Sequence, residues 1–176
     1  MKICDLKTFE LIVQFLFVWG FCLSVSGHGS SPNSKVLLVS FDGFRYDYFD
    51  LAEQSGIMLT NFKKIFQIGI KADHLENVFL TRTFPNHMSI VTGCFEETHG
   101  IIDNSFFDPL FNETFSSRNL TQSIDWKWFS NSEPIWLTNM KHGHESAVIY
   151  WPGQLAPFNN KHFPTFSFGV YNSDVP

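Results

Sequence analysis

The stretch Phe79 to Ser89, FLTRTFPNHMS, places hydroxyl groups and a cation beside the start of a helix. Proline suits the first helical turn because its φ is fixed and its missing N–H is not needed there, so we predict a helix from about Pro85 to a stop at Gly93. This puts Thr83 at or beside the helix N-terminus, where backbone N–H groups and the helix dipole favour an anion. With Arg82 adjacent, the sequence predicts a phosphate site.

A second chemical group follows an apolar run. Residues Lys35 to Phe41, KVLLVSF, form a largely apolar run without alternation, as in a strand that is covered on both faces of a parallel sheet. Ligands collect beyond the carboxyl ends of such strands, so Asp42 is predicted to be a metal ligand. Both candidates have plainer alternatives: Thr83 could be only a helix N-cap, and Asp42 with Gly43 could be only a turn.

The segments around these groups predict an α/β domain. Apolar residues at helical spacing predict a helix over Arg45 to Gln67 with a break at Gly56, and Ile70 to Val78 is predicted to be a further strand. Later in the chain, Ser132 to Gly143 is predicted to be a helix and Glu145 to Tyr150 a short strand. Strands that alternate with helices are typical of an α/β fold.

Two intervening passages are predicted to be loops. The first runs from Phe95 to Asp108, and its polar residues could either reach a site or form ordinary turns; they are His99, Asp103 and Asn104. The second is a surface loop from Asn112 to Asn131. It contains glycosylation sequons that begin at Asn112 and Asn119, so we expect glycans at both asparagines.

Residues 1–27 are predicted to be a secretory signal peptide. The apolar run from Leu11 to Val25 is too short to span a bilayer comfortably, and small residues follow it. An uncleaved anchor is the alternative. Residues 28–34 are rich in Gly, Ser, Pro and Asn and are predicted to be a linker. We therefore expect a protein that is secreted or lies on the extracellular face of the plasma membrane.

Charge and cysteine content exclude some classes of protein. The net charge of −5 argues against a protein that coats nucleic acid. Two of the three cysteines lie in the predicted signal peptide, so the chain is neither a disulfide scaffold nor a zinc finger. The remaining one, Cys94, is predicted to be buried as a small apolar residue.

Six short segments occur together in a characteristic order. They are SFDGFR (Ser40 to Arg45), TFPNHMSIVTG (Thr83 to Gly93), HGIIDN (His99 to Asn104), PIW (Pro134 to Trp136), WPG (Trp151 to Gly153) and the pair Tyr171-Asn172. Over nearly all of Lys35 to Pro176, the chain resembles the N-terminal part of the ectonucleotide pyrophosphatase/phosphodiesterase family, in the alkaline phosphatase superfamily. The resemblance implies an alkaline-phosphatase-like α/β sheet flanked by helices, with residues 35–176 as the N-terminal part of the catalytic domain.

The resemblance also implies roles for the matching residues. Thr83 would be the nucleophile and, together with Asp42, a ligand of one of two zinc ions. Asn104 would donate its amide to a phosphate oxygen, and Arg82 stands where relatives often carry lysine. Three aromatic residues would bind the nucleobase: Phe84 and Tyr171 on its two faces, and Trp151 along the same pocket.

The implied activity is extracellular, zinc-dependent hydrolysis of nucleotide pyrophosphate or phosphodiester bonds through a covalent phosphothreonine intermediate. The implied partner is a nucleotide or another phosphodiester substrate. Relatives complete the two-zinc site with Asp and His residues beyond the position of Pro176. We therefore expect this chain to lack part of the sheet and to be inactive alone, with membrane anchoring only in a longer parent chain.

Two alternative functions remain open. One is a non-catalytic secreted nucleotide-binding protein that uses Phe84, Trp151 and Tyr171 without zinc. The other is a phosphodiesterase that acts on lipid or choline phosphodiesters, because the same nucleophile serves those branches of the superfamily. The aromatic pair Phe84 and Tyr171 favours a nucleoside substrate.

Overall fold

The structure, a computed structural model, describes residues 35–169. Residues 35–41 belong to one unit of the chain and residues 42–169 to a second. The second unit contains short helices and strands in the following order: α1 Tyr48–Gln54, α2 Thr60–Ile68, α3 Thr83–Thr92, α4 Glu96–His99, β1 Ser105–Asp108, β2 Glu113–Ser116, α5 Leu120–Ser123, a 3₁₀ helix Trp126–Trp128, α6 Ile135–Lys141, β3 Ala147–Ile149 and β4 Phe166–Phe168.

The two strands predicted before the Thr83 segment are absent. Neither Lys35 to Phe41 nor Ile70 to Val78 has regular secondary structure, and Val36 and Leu37 are each 87% exposed. An apolar run becomes a strand only when a neighbouring strand accepts and donates its backbone hydrogen bonds. Both sheets among the described residues are two-stranded and use other segments, so the prediction of strands at these positions is wrong.

Helices α1 and α2 divide the predicted long helix at Gly56, which has a φ of +75°. The break is confirmed, because this left-handed conformation suits glycine and interrupts a helix. Phe49 of α1 contacts Phe62 and Phe66 of α2, with ring centroids 4.8 and 5.1 Å apart. These aromatic contacts join the two helices, although neither helix contains a buried residue.

Helix α3 begins two residues earlier than predicted and ends where predicted. Thr83 is its first residue, and Gly93 ends it with a φ of +67° and an N–H that donates to the carbonyl oxygen of Ser89. Five of its ten residues are buried: Phe84, Pro85, His87, Met88 and Val91. The helix that carries the candidate nucleophile is therefore firmly packed on one face.

The passage predicted to be a loop from Phe95 to Asp108 contains regular structure. It includes α4 and then β1, which pairs with β2 in an antiparallel hairpin. Asp108 turns the chain, because its Oδ1 accepts hydrogen bonds from the backbone N–H groups of Leu110 and Phe111. Cys94, just before this passage, is half-buried rather than buried as predicted.

The prediction of a surface loop over Asn112 to Asn131 is also wrong, because this stretch supplies part of the core. Phe115 is fully buried, and its ring lies 5.5 Å from that of Trp128 and 5.7 Å from that of Phe84. The buried apolar residues of the whole cluster are Phe84, Met88, Val91, Ile101, Phe115, Trp128, Phe129, Trp136, Leu137, Val148, Trp151 and Ala156. Half of these residues are aromatic, and α3 contributes three members of the cluster, Phe84, Met88 and Val91.

The C-terminal elements supply a parallel pair of strands. Pro134 precedes α6, in agreement with the predicted helix, and β3 lies within the predicted strand Glu145 to Tyr150. β3 pairs in parallel with β4, from Ala147 opposite Phe166 to Ile149 opposite Phe168. A parallel pair joined by a long connection is the arrangement of an α/β sheet.

Some predictions lie outside the described residues. These are the signal peptide over 1–27, the linker over 28–34 and the position of Tyr171. Within residues 35–169, no helix has the length and apolar character needed to cross a bilayer.

Candidate active site

The two candidate chemical groups from distant parts of the sequence are in contact. The Thr83 hydroxyl donates a hydrogen bond to Oδ2 of Asp42 over 3.1 Å, across 41 positions of sequence. Asp42 lies in a turn with Gly43, which has a φ of +66°. The turn anticipated as the plainer alternative is therefore present, and it directs the carboxylate to the threonine hydroxyl.

The alternative that Thr83 merely caps the helix does not fit the geometry. A capping residue precedes the helix with extended backbone and accepts a hydrogen bond from an N–H of the first turn. Arg82 occupies that position, with φ −118° and ψ 154°, and its side chain makes no capping hydrogen bond. Thr83 is the first helical residue and its hydroxyl donates to a carboxylate instead. The hydroxyl is thus used away from the helix backbone.

Asn104 is held against the same helix terminus. The backbone N–H of Phe84 donates to Oδ1 of Asn104 over 2.9 Å, which fixes the orientation of the side-chain amide. The Nδ2 group is consequently the end of this side chain that can donate to an acceptor such as a phosphate oxygen. The same bond occupies one N–H of the helix terminus, and Pro85 has none. These two residues therefore offer no backbone N–H group to an anion at this terminus.

Asp103 connects Asn104 to the neighbouring cation. Its Oδ1 accepts a 2.6 Å hydrogen bond from the backbone N–H of Asn104 and lies 3.6 Å from Nε of Arg82. The side chain of Arg82 is 62% exposed, and that of Asp103 is 32% exposed. The predicted cation is therefore at the site, but an acidic residue also contacts it.

Sequence reasoning missed the residue that ties down the segment leading to Thr83. Asn86 accepts a hydrogen bond at Oδ1 from the N–H of Val78, and its Nδ2 donates to the carbonyl oxygens of Leu80 and Arg82. These three bonds measure 3.0, 3.0 and 2.8 Å. They replace the strand hydrogen bonds that the segment does not make. The only sequence signal for this role was an asparagine as the fourth residue of the helix, where its side chain can reach the preceding backbone.

Two buried histidines also contact α3. Nδ1 of His87 lies 2.8 Å from the carbonyl oxygen of Thr83, and its ring packs at 70° against Trp151. His99 accepts a hydrogen bond at Nδ1 from the N–H of Ile101, so its Nε2 carries the proton and donates to Oγ of Ser89. Because both nitrogens of His99 are engaged, this residue is not a base for Ser89.

Burial lowers the pKa of His99 from its usual value. The nearby acids Glu96 and Glu97 and the carbonyl group of Pro85 act in the opposite direction, but desolvation is the largest cause. His99 is therefore neutral in the folded protein at neutral pH, in agreement with its acceptor role at Nδ1.

Phe84 and Trp151, two of the residues predicted to bind a nucleobase, are buried. Phe84 is 1% exposed and packs on Phe115, and Trp151 is 8% exposed. Both line one small cavity of about 10 Å³ beside α5. A volume of this size admits about one water molecule and no nucleobase. The ring of Phe84 is therefore enclosed by the hydrophobic core in this structure, and a part for it in base binding stays a prediction.

Asp42 and Thr83 supply two oxygen donors that could bind a metal ion. The adjacent oxygens of Asp42 and Thr83 are suitable hard donors for zinc, but a zinc ion needs three or four protein ligands. Among residues 35–169, no group of three or more His, Cys, Asp or Glu side chains could hold a metal ion. The described part of the chain thus fits the role of a partial ligand set.

Solved structures identify the class to which this arrangement belongs. The structure matches murine ectonucleotide pyrophosphatase/phosphodiesterase 5 with a TM-score of 0.70 and 40% sequence identity, over 81% of this chain and 36% of that chain. An inactive threonine-to-alanine variant of the same murine protein, in complex with AMP, matches with a TM-score of 0.70 and 39% identity over 82% of this chain. The predicted fold class is confirmed: this is an alkaline-phosphatase-like α/β fold.

The family follows from the sequence match. The chain belongs to the type I phosphodiesterase/nucleotide pyrophosphatase family, whose model matches residues 36–176. It is 39% identical to mouse bis(5'-adenosyl)-triphosphatase enpp4 over 92% of this chain, and 39% identical to human ectonucleotide pyrophosphatase/phosphodiesterase family member 5 over 94%. The predicted family is confirmed. The chain spans about one third of the length of these relatives, 34% and 33% respectively.

Proposed function

We propose that this chain contains the nucleophile-bearing part of the catalytic domain of an extracellular, zinc-dependent nucleotide pyrophosphatase/phosphodiesterase. Thr83 is the nucleophile. The observation that carries the proposal is the hydrogen bond from the Thr83 hydroxyl to Asp42, which joins two oxygens from separate segments at the start of α3. The inactive threonine-to-alanine variant of the murine relative also agrees with a threonine nucleophile.

Thr83 begins the reaction. Its Oγ1 attacks phosphorus and forms a new P–O bond, while the bond from phosphorus to the leaving-group oxygen breaks. Asp42 accepts the hydroxyl hydrogen in this structure, and the proton is released to solvent as the new P–O bond forms. The product is a phosphothreonine that still carries the nucleoside ester. Water then attacks the same phosphorus, the bond between phosphorus and Oγ1 breaks, and the proton lost by the water restores the Thr83 hydroxyl.

Asn104 and Arg82 stabilise the phosphoryl oxygens as negative charge develops on them. Nδ2 of Asn104 is available as a donor because Oδ1 is held by the N–H of Phe84. Loss of one preorganised donor of this kind costs about 3 kcal/mol in the barrier, or roughly a hundredfold in rate. The guanidinium group of Arg82 supplies a second, charged set of donors.

Asp42 and Thr83 are the residues that would hold zinc. When bound, zinc would supply a Lewis acid that acidifies the threonine hydroxyl and neutralises the phosphoryl charge. Since these two oxygens are an incomplete ligand set, the remaining ligands would come from outside residues 35–169.

A nucleotide is the proposed substrate. The inactive variant of murine family member 5 is in complex with AMP. Mouse enpp4 is named as a bis(5'-adenosyl)-triphosphatase. The buried ring of Phe84 does not support the predicted stacking of the base between two rings. The support for a nucleotide substrate comes from the phosphoryl-binding side chains and from the relatives. A part for Tyr171 stays a prediction.

Secretion and glycosylation form part of the proposal. Asn112 and Asn119 are both exposed, and both occupy sequons. Oδ1 of Asn119 accepts from the N–H of Thr121 and caps α5, so its Nδ2 can carry a sugar without loss of the cap. The chain expressed in secretory cells should appear in the medium and lose mass on enzymatic removal of N-linked glycans. Retention inside the cell without glycans would contradict this part.

The decisive test is a chimera in which this chain replaces the matching third of an active relative. The chimera should hydrolyse a chromogenic aryl ester of a nucleoside monophosphate, with zinc, and Thr83→Ala should lower the rate by at least about a thousandfold, as for other nucleophiles. Thr81→Ala is the matched control, because Thr81 is an exposed threonine two residues away.

A second readout tests the covalent step. Mass spectrometry of the acid-quenched chimera should find the nucleotidyl group on the peptide that contains Thr83. Full activity in Thr83→Ala, or equal loss in Thr81→Ala, would overturn Thr83 as the nucleophile. Lipid and choline phosphodiesters belong in the same assay, and a preference for them would overturn the nucleotide assignment.

A further inference from the structure

Two consecutive residues, Asp103 and Asn104, contact the two neighbours of Thr83. The carboxylate of Asp103 lies 3.6 Å from Nε of Arg82, and Oδ1 of Asn104 accepts the N–H of Phe84 over 2.9 Å. The candidate nucleophile therefore lies between two points at which the same short segment is attached to α3.

The attachments leave particular donors available. The contact of Asp103 uses Nε of Arg82, whereas a guanidinium group has four further N–H donors on its terminal nitrogens. The contact of Asn104 likewise uses its oxygen and leaves Nδ2. In each case the contact orients the side chain and leaves N–H groups that can donate to an anion.

Asp103 also links the two donors to each other. One oxygen, Oδ1, accepts the backbone N–H of Asn104 at 2.6 Å and faces Arg82. The backbone of Asn104 is fixed on its other side by its carbonyl oxygen, which accepts from the N–H of Ser117 in the adjoining hairpin over 2.8 Å. A carboxylate is suited to this double role because it has several lone pairs and no hydrogen to donate.

We propose that Asp103 is a positioning residue that holds Arg82 and Asn104 as a matched pair of donors for one phosphoryl anion beside Thr83. This inference rests on the proposed function and adds a residue that has no assigned role there. Asp103 does not touch the anion. It lowers the cost of ordering the two donors, and this cost otherwise subtracts from binding and from the rate.

The arrangement also gives a reason for arginine at position 82. Arginine can contact Asp103 through Nε and still present a planar pair of terminal N–H groups to phosphate. Lysine has a single ammonium group, which cannot keep both contacts in fixed directions. Arg82→Lys should therefore remove most of the benefit that Asp103 supplies, while it keeps the charge.

The test uses the full chain, labelled with ¹⁵N, and AMP as the probe in metal-free buffer. In the unsubstituted chain, the side-chain signals of Arg82 and Asn104 should shift together and give a single dissociation constant. Asp103→Asn keeps an acceptor for the N–H of Asn104 but loses the charge beside Arg82. It should raise the dissociation constant roughly tenfold, as when a group that orients a ligand is removed.

The matched comparisons separate positioning from general damage. Asp73→Asn removes one carboxylate from an exposed coil position and should leave the dissociation constant unchanged. Asp103→Glu should recover part of the loss. In the Arg82→Lys background, Asp103→Asn should have less than a twofold effect, because the two residues act through one contact.

The outcomes distinguish this inference from the proposed function. Thr83→Ala should still bind AMP in this experiment, although it abolishes hydrolysis by the chimera. An affinity for Asp103→Asn within twofold of the unsubstituted chain would overturn the positioning role. So would AMP-dependent shifts of Arg82 and Asn104 with different constants, or no shifts at all. An inactive chimera with coupled AMP shifts would instead overturn the proposed function alone.

Discussion

Helices α2 and α3 are of similar length, nine and ten residues, and both are rich in apolar residues, yet their surroundings differ. Helix α2 buries no residue, and Ile65 on it is 57% exposed. Helix α3 buries five residues against an aromatic core. An apolar face therefore predicts that a helix forms, but the degree of burial depends on what the rest of the chain brings to that face.

The candidate active site contains one residue from a well-packed region and one from a weakly packed region. Thr83 begins the packed helix α3, whereas Asp42 lies in an exposed turn before the weakly packed helices. The hydroxyl of Thr83 is thus the fixed partner of the pair. The position of Asp42 depends on a turn that little of the described structure covers, so we expect the two regions to respond differently to substitution.

The largest expected difference concerns the core itself. Phe115→Ala removes a fully buried ring that contacts four other aromatic rings, and should lower the free energy of unfolding by about 3–5 kcal/mol. Phe62→Ala in α2 is the control and should cost at most about 1 kcal/mol, typical of a site that is not buried. Urea denaturation measures both. Equal losses would show that α2 is as well packed as α3.

A smaller effect is expected at a glycine beside the core. Gly153 has a φ of +80°, and a Cβ atom there would lie 2.8 Å from the ring of Phe129. Gly153→Ala should therefore cost about 1–3 kcal/mol for the clash, beyond the cost of the left-handed backbone. Gly143→Ala isolates that backbone cost, because Gly143 has the same φ of +80° and nothing within 4 Å. Identical thermal unfolding midpoints for the two variants would contradict the clash.

The smallest effect is a dependence of stability on pH. Burial lowers the pKa of His99 in the folded chain, whereas the unfolded chain keeps a value of about 6.5. Below about pH 6.5 the unfolded chain therefore binds a proton that the folded chain does not, so stability should fall as the pH is lowered through this range and should be level above it. Urea midpoints at pH 7.5 and 5.5 measure the change. His99→Gln should reduce it, and an unchanged pH dependence in that variant would contradict the assignment.

Local signals in the sequence predicted the helix around Thr83 well. Pro85 and Gly93 act through backbone geometry alone, so the position of α3 was correct within two residues at one end and the stop was correct at the other. The break at Gly56 was predictable for the same reason. The approach of Asp42 to Thr83 was expected only from the family resemblance, because no local rule relates positions 41 residues apart.

Features that depend on distant partners were not predictable. The run from Lys35 to Phe41 has strand composition but is not in a strand, because pairing requires a neighbouring strand. Phe84 was predicted to lie in a binding pocket, yet the core formed with Phe115 encloses its ring. A sequence shows that an aromatic residue is present but not which of two apolar environments will contain it.

The side chain of Asn86 has a consequence for the way this region opens. It holds the N–H of Val78, in a segment without regular secondary structure, through a bond that originates in α3. The Val78 amide should therefore resist deuterium exchange as long as the helix stays intact and become labelled when the helix opens. Residues 78–82 and α3 then form one cooperative unit. The irregular segment is protected from exchange to the same degree as the helix to which it is hydrogen-bonded.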